Sequence, residues 1–417
     1  MKSLTQKNYY PWVVLALSAS FLFYKYVLQV SPSVMTTQLM QNFHVNGAGL
    51  GNLAATYFYT YLVAQLFAGP LLDRYNPRLL TALAMGVCAV GALCFSQAHT
   101  LTAALLSRSL VGVGAAFATV SYLKMASVWF KPNQFAFASG LLATAAMAGS
   151  MTAQVPMSLL VEHTSWRTAL LCTSVLGMVL AFLFFSFVRT KSHAENPEVE
   201  AAQSPKLRDF AKVLKSKNNW LLTFYSGLAF SPLAVLGGLW GNPFFESVYH
   251  FSPTDAASVS TFMFLGLAVG APLFALLSNR LNNRYGVMQL GVWLSFTALV
   301  AVLYLPSLNT VMAATLLFLF GLGVGAFMLG FTLCKELNSL ALAATVVAFV
   351  NTGDALLDAV TEPFVGKLLD HFWTGDVVNG VHHFGAHDYH LAFVVLPLYL
   401  LAASLCLVPL RKACKMK

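Results

Sequence analysis

Gly69-Pro70-Leu71-Leu72-Asp73-Arg74-Tyr75-Asn76-Pro77-Arg78 carries a small charged island between two long apolar runs. The runs on either side, 48–72 and 79–97, are each long enough to cross a bilayer as a helix, which takes roughly 20 apolar residues. The island is therefore the tight connection between two adjacent spans. Its charge pattern, Asp73-Arg74-x-x-x-Arg78, returns as Asn279-Arg280-x-x-x-Arg284, 206 residues further on.

Working outward, the whole chain has the same character. Its 417 residues are 58% hydrophobic and only 9% charged, with a mean hydropathy of +0.70. A soluble domain carries about 25% charged residues, so this chain cannot cover a water-facing surface. That excludes a soluble enzyme, a nucleic-acid binder and a disordered chain. Twelve apolar stretches follow one another: 10–36, 48–72, 79–97, 101–126, 134–161, 165–189, 219–246, 254–279, 286–306, 309–335, 341–370 and 389–411. The first, 10–36, is too long for a signal-peptide core, contains Lys25 and lacks a cleavage site, so it reads as a retained span. The net charge of +9 sits mainly in the N-terminus, in every second loop and in the tail Arg411, Lys412, Lys415 and Lys417. This positive-inside pattern puts both termini in the cytoplasm. Cys88, Cys94, Cys172, Cys334, Cys406 and Cys414 show no paired spacing and read as small apolar residues, with no disulfide framework or zinc site.

The one long hydrophilic stretch, 190–218, holds Lys191, Lys206, Arg208, Lys212, Lys215 and Lys217. It divides the chain into a six-span half, 1–189, a cytoplasmic linker, and a second six-span half, 219–417. Two further motifs repeat across the division. Gly112-x-Gly114 with Lys124 matches Gly323-x-Gly325 with Lys335, and Pro156, Glu162-His163 and Trp166 match Pro363, Asp370-His371 and Trp373. Duplicated halves around a midplane site are a transporter architecture.

The 69–78 stretch resembles the loop motif G-x-L-x-D-R-x-G-x-R of the major facilitator superfamily at all positions but one. Asn76 stands where glycine is usual, and asparagine tolerates a left-handed turn. The resemblance implies an all-α membrane protein of twelve transmembrane helices in two pseudo-symmetric halves. It also implies that Asp73, Arg74, Arg78, Arg280 and Arg284 gate the cytoplasmic side. Asp73 would meet the N-terminus of span 11, and, with Asn279 in place of the acid, only the first copy would form a charged latch. A narrower resemblance joins Phe23 to Ser33, Tyr57 to Tyr61, Lys124 to Phe130, Asn351, Pro363 to Asp370 and Asp388-Tyr389 to the phagosomal nutrient transporters of intracellular bacteria. More distantly, the chain is similar to the lysosomal dipeptide transporter. Those carriers move amino acids, nucleosides or similar nutrients.

Charges inside spans carry the chemistry, because each costs about 2.5–3.5 kcal/mol on insertion scales and needs a cavity or a partner. Lys25, with Tyr24, Tyr26 and Gln29 around it and Tyr57 and Tyr61 in span 2, is the candidate anchor for a substrate carboxylate; a structural ion pair is the alternative. Arg108 in span 4 serves either coupling or structure. Lys124 reads as a lysine reaching to the interface. Asp354, Asp358 and Glu362 in span 11 share one helix face over about 12 Å. Burial and mutual repulsion disfavour their charged forms, as a proton carrier requires, unless they pair with Lys25 or Arg108. Gln154, Trp240, Asn242 and Asn351 are substrate contacts or helix–helix bonds. The histidines of 371–390 lie in a solvated outer loop, and their spacing fits no compact metal site.

These residues point to a monomeric secondary transporter of the bacterial inner membrane. It would import a small zwitterionic nutrient, an amino acid or short peptide, with protons by alternating access, with no cofactor, metal or nucleic acid. The alternative is a proton-driven exporter or importer of a siderophore, drug or nucleoside. No nucleophile–base pair or phosphate loop supports an enzyme.

Overall fold

The computed structural model describes residues 9–189, 212–339, 342–375, 377–378 and 380–415. Of the linker read at 190–218, residues 190–211, with Lys191, Lys206 and Arg208, lie outside the described residues, as do Lys417 and the side chains of Lys412, Cys414 and Lys415.

The protein is an all-α membrane protein with twelve spans. Among the described residues nine helices are long and apolar enough to cross a membrane. Three other long helical segments complete the set. Span 1 is Tyr10–Val30, span 2 Gly47–Arg74, span 3 Pro77–Ser96 and span 4 Leu101–Trp129. Span 5 is Pro132–Thr152 continued by Val155–His163, and span 6 is Trp166–Phe187. Span 7 runs Lys217–Val235, passes through a π-helical turn, Leu236–Trp240, and ends as Gly241–Tyr249. Spans 8 and 9 are Pro253–Leu281 and Arg284–Tyr304. Span 10 is Thr310–Val324, a 3₁₀ turn and Met328–Leu337; spans 11 and 12 are Ala343–Phe372 and Val395–Lys415.

Helix starts follow side-chain chemistry. Asn76, Thr100, Ser165, Ser252, Asn283 and Asn309 each cap a helix by accepting a backbone N–H with the side-chain oxygen. Asn76 therefore differs from expectation: its backbone is extended, at φ −60°, and its side chain accepts from Arg78 N. The left-handed residue of the equivalent second turn is Asn282, at φ 46°. Breaks also have local causes. Ser31-Pro32 tightens the end of span 1 into a 3₁₀ turn, and the separate helix Thr36–Phe43 occupies what reads as a loop in sequence. Gln154, two residues before Pro156, leaves helical geometry and splits span 5.

Two compact units divide the chain: Met1–His44 with Asn52–Glu195, and Val45–Gly51 with Asn196–Lys417. In the first unit span 3 packs on spans 4 and 6, and span 1 on spans 4 and 5. In the second, span 9 packs on spans 10 and 12, and span 7 on spans 10 and 11. The two pairing schemes are the same scheme. Small residues set the contacts: a Cβ on Gly112 would stand 2.3 Å from Tyr57 O of span 2, and one on Gly114 2.5 Å from Ala84 O of span 3. Gly321 meets Met263 O of span 8 in the same way, and Gly323 meets Gly291 O of span 9. The structural repeat thus pairs Gly112 with Gly321 and Gly114 with Gly323, two residues earlier than the motif spacing implies.

Each contact includes a facing backbone carbonyl, which cannot move aside as the neighbouring Thr60 side chain at Gly112 could. Gly112→Val is expected to destabilise the protein by about 1–3 kcal/mol, the usual range for overpacking. A thermal melt of the purified variant in detergent checks this, and an unchanged midpoint would show that spans 2 and 4 can part there.

Candidate functional site

In the first unit the sequence candidates converge on Lys25. Its residue is only 4% exposed. The ammonium nitrogen lies 4.6 Å from the ring centroids of both Tyr26 and Tyr61. Tyr57 stacks on Tyr61 at 5.9 Å, and its hydroxyl donates to Gln29 Oε1 at 3.2 Å. The polar groups around Lys25 are the neutral phenols of Tyr26, Tyr57 and Tyr61, the last hydrogen-bonded to it, and no described carboxylate of the unit pairs with it. Aromatic faces attract a cation but do not neutralise it. The pocket is therefore a net positive point walled by rings.

Arg108 sits beside this cluster and is held differently. Nη1 donates to Leu28 O at 2.9 Å, Nη2 to Ala54 O at 3.4 Å, and the guanidinium lies 5.3 Å from the Tyr57 ring. It fixes the backbones of spans 1 and 2 behind Gln29 and Tyr57. Tyr24 is turned to span 6, where a Cβ on Gly177 would stand 2.3 Å from its hydroxyl. Gln154 donates to Ser33 Oγ at 3.3 Å, tying the break in span 5 to the end of span 1.

In the second unit Asp354, Asp358 and Glu362 are all buried on span 11. Asp358 interacts electrostatically with both neighbours, while Ser226 and Ser231 of span 7 lie beside Asp354 and Asp358 respectively. Within the unit no described Lys, Arg or His interacts with either aspartate. Glu362 faces the π-helical turn: Gly238 brings its backbone close to Glu362 Oε1, and Trp240 Nε1 donates to the Glu362 carbonyl at 3.2 Å. Asn242 accepts from Ser260 Oγ at 2.6 Å, and Asn351 is half-buried. Ser226 and Ser231 carry no sequence signal of their own. Only the packing of the two helices reveals them.

Among the described residues, charges at the span ends form two ion pairs. Lys124 Nζ lies 2.5 Å from Asp73 Oδ1, so Lys124 is the partner of the motif acid rather than a lysine reaching for the interface. Arg78 donates to the Phe185 carbonyl, with its guanidinium over the Phe185 ring, and Arg74 and Arg280 are exposed. Contrary to expectation the second copy is charged as well. Arg284 Nη2 donates to Glu336 Oε1 at 2.7 Å, and Nη1 donates to Asn279 Oδ1 at 2.8 Å. Glu336 follows Lys335, the counterpart of Lys124 by motif spacing, so in the second unit the acid lies at the end of span 10 rather than of span 2.

The outer segment is solvated only in part: His371, His383 and His387 are exposed, whereas other residues of it pack. Asp370 accepts from Gly47 N and Ala48 N at 2.9 and 2.8 Å, and lies 3.2 Å from His382 Nδ1. His382 stacks on Trp373 at 3.7 Å, and Phe384 and Asp388 are buried. Asp376 lies outside the described residues. Among the described residues no group of three or more His, Cys, Asp or Glu gathers as a metal site.

Comparisons with known proteins agree with this frame. A "Probable L-galactonate transporter" of Escherichia coli (strain K12) is 23% identical over 383 residues, 86% of this chain and 81% of that protein. The "Hexuronate transporter" of Bacillus subtilis (strain 168) is 23% identical over 176 residues, 42% of each chain. A solved bacterial homologue of the human lysosomal transporter Spinster, in an inward-facing and unoccupied conformation, superposes with a TM-score of 0.82. It is 17% identical, over 97% of this chain and 98% of that one, and so shares the fold. The Major Facilitator Superfamily profile matches residues 14–361. The chain therefore belongs to the Major Facilitator Superfamily, a family of membrane transporters.

Proposed function

We propose that this protein is a proton-coupled importer of a small carboxylate-bearing nutrient, an amino acid or short peptide, working by alternating access in a bacterial inner membrane. Both termini face the cytoplasm, where the basic loops lie. The observation that carries the reading is Lys25, a buried cation faced by phenols and without a carboxylate partner in its unit. A cation held this way is costly until an anion arrives, and a substrate carboxylate is the group that completes it. Tyr57, Tyr61 and Gln29 supply stacking and hydrogen bonds around it, and Arg108 positions their helices.

The span 11 acids supply the coupling charge. Among the described residues of their unit no base interacts with Asp354 or Asp358, so a proton is the simplest neutraliser for these two. Asp354, nearest the middle of the span, is the first carrier, with Asp358 and Glu362 beyond it. Asp73 with Lys124 and Arg284 with Glu336 fix helix ends that gating must move.

A second reading has its own support. The relatives named for L-galactonate and hexuronate carry sugar acids, which share the carboxylate but lack an ammonium. The resemblance to the phagosomal nutrient carriers favours the amino-acid side. Thermal-shift measurements with amino acids, dipeptides and sugar acids separate the two, since a ligand of the folded state raises its midpoint.

Lys25→Ala is expected to lower substrate affinity by at least about tenfold, equal to 1.4 kcal/mol, while membrane expression stays near that of the parent. Normal binding by a well-folded variant removes Lys25 from the site. Asp354→Asn is expected to keep substrate exchange across liposome membranes but lose accumulation driven by a pH gradient. If Asp354→Asn, Asp358→Asn and Glu362→Gln all still accumulate substrate, the proton travels elsewhere.

A further inference from the structure

We propose that the seam between spans 7 and 11 binds a small alkali cation, Na⁺, through the carboxylates of Asp354 and Asp358 and the hydroxyls of Ser226 and Ser231. The inference rests on the reading that span 11 carries the coupling charge, and it adds a second ion that shares those oxygens with the proton.

The seam is built by backbone contact. A Cβ on Gly353 would stand 2.5 Å from Thr223 O, and one on Gly227 2.6 Å from Gly353 O. Spans 7 and 11 therefore touch at the level of Ser226 and Asp354. One further turn along, Ser231 stands beside Asp358. Ser226 and Ser231 are wholly buried, and Asp358 is 2% exposed. Ser226 reaches toward Asp354 and Ser231 toward Asp358 at the edge of hydrogen-bonding range, and neither hydroxyl nor Oδ1 of either aspartate has a well-formed bond. Buried oxygens are normally paired. Here four of them, from facing helices, stand beside one another with no more than loose serine–aspartate contact.

The donor set selects the ligand. Carboxylate and hydroxyl oxygens suit hard cations, and neither thiolate nor imidazole interacts with the two aspartates. Carboxylates one helical turn apart can share a single ion. The close crossing of the helices favours a small ion, Na⁺ or Li⁺, over K⁺ and excludes an organic ammonium group. The groups facing Asp358 are Asp354, Glu362 and Ser231, and Ser226 faces Asp354. None brings a positive charge. Na⁺ binding requires ionised carboxylates, so acidification displaces the ion.

The test is the thermal midpoint of the purified full chain, titrated with NaCl, LiCl or KCl against choline chloride at constant ionic strength. Na⁺ and Li⁺ are expected to give a saturable rise that weakens on acidification and that K⁺ does not reproduce. Asp358→Asn should abolish it, Ser231→Ala should weaken apparent Na⁺ affinity about tenfold, and Ser231→Thr, which keeps the hydroxyl, should retain it. Lys25→Ala, in the other unit, should leave it unchanged. Equal effects of Na⁺ and K⁺, or a Na⁺ response that survives in Asp358→Asn, overturn the proposal. Uptake driven by a pH gradient in sodium-free buffer is measured in parallel. If it persists while Na⁺ has no effect, this inference fails and the proton-coupled reading stands; if uptake is absent at every pH gradient, that reading fails independently of the sodium result.

Discussion

A charge inside a bilayer must be answered by something within the protein, and most of what distinguishes this chain follows from how its two units answer it. Placing an ionised group in hydrocarbon is expensive, and removing the partner of a buried charge costs more than the pair gains. The first unit surrounds Lys25 with aromatic faces and bonds Arg108 to backbone carbonyls. The second surrounds three acids with hydroxyls, an indole and a glycine-lined turn. No described group of opposite charge in its own unit meets Lys25, Asp354 or Asp358. Each half holds polarity that a solute or an ion can complete, on helices whose outward faces remain apolar.

The same helix-pairing scheme supports both arrangements. Span 1 packs on spans 4 and 5 as span 7 packs on spans 10 and 11, and glycines at equivalent places let the backbones meet. Packing within a membrane relies on such close approach, because lipid tails are as apolar as the side chains they would replace. The ion pairs at the loop ends show how much freedom remains. Asp73 with Lys124 joins an acid at the end of span 2 to a base on span 4, whereas Arg284 with Glu336 joins a base at the start of span 9 to an acid at the end of span 10. Both ties end on the fourth span of their unit, but they start from different neighbours and with opposite charges.

The spans, the repeated halves and the buried charges are legible in the sequence, because apolar length and rare intramembrane ionic residues are strong signals. Partners across a seam are not. Asn76 reads as a turn residue by type, yet its side chain is used as a cap. Glu336 is hidden beside Lys335, because nothing in one helix states which neighbour its acid will meet. Ser226 and Ser231 are ordinary small polar residues until the contact of Gly227 with Gly353 sets them against aspartates. The 371–390 segment reads as a soluble loop from its histidines, yet His382 and Asp370 spend their polarity on each other and on two backbone N–H groups. Hydropathy measures transfer to lipid one residue at a time. It does not see pairing.

The π-helical turn at Leu236–Trp240 alters the phase of span 7. In an ordinary helix each residue advances about 100° around the axis, and a π turn inserts one residue into that count. Residues before it, including Ser226 and Ser231, and residues after it, including Asn242, therefore follow two angular registers. A single helix can then address span 11 with one stretch and span 8, through Asn242 and Ser260, with the next. An alignment of the two halves that assumes one uninterrupted period would slip by a residue here. Loss of one residue from this turn would rotate everything beyond it, changing which side chains meet without changing a single residue's chemistry.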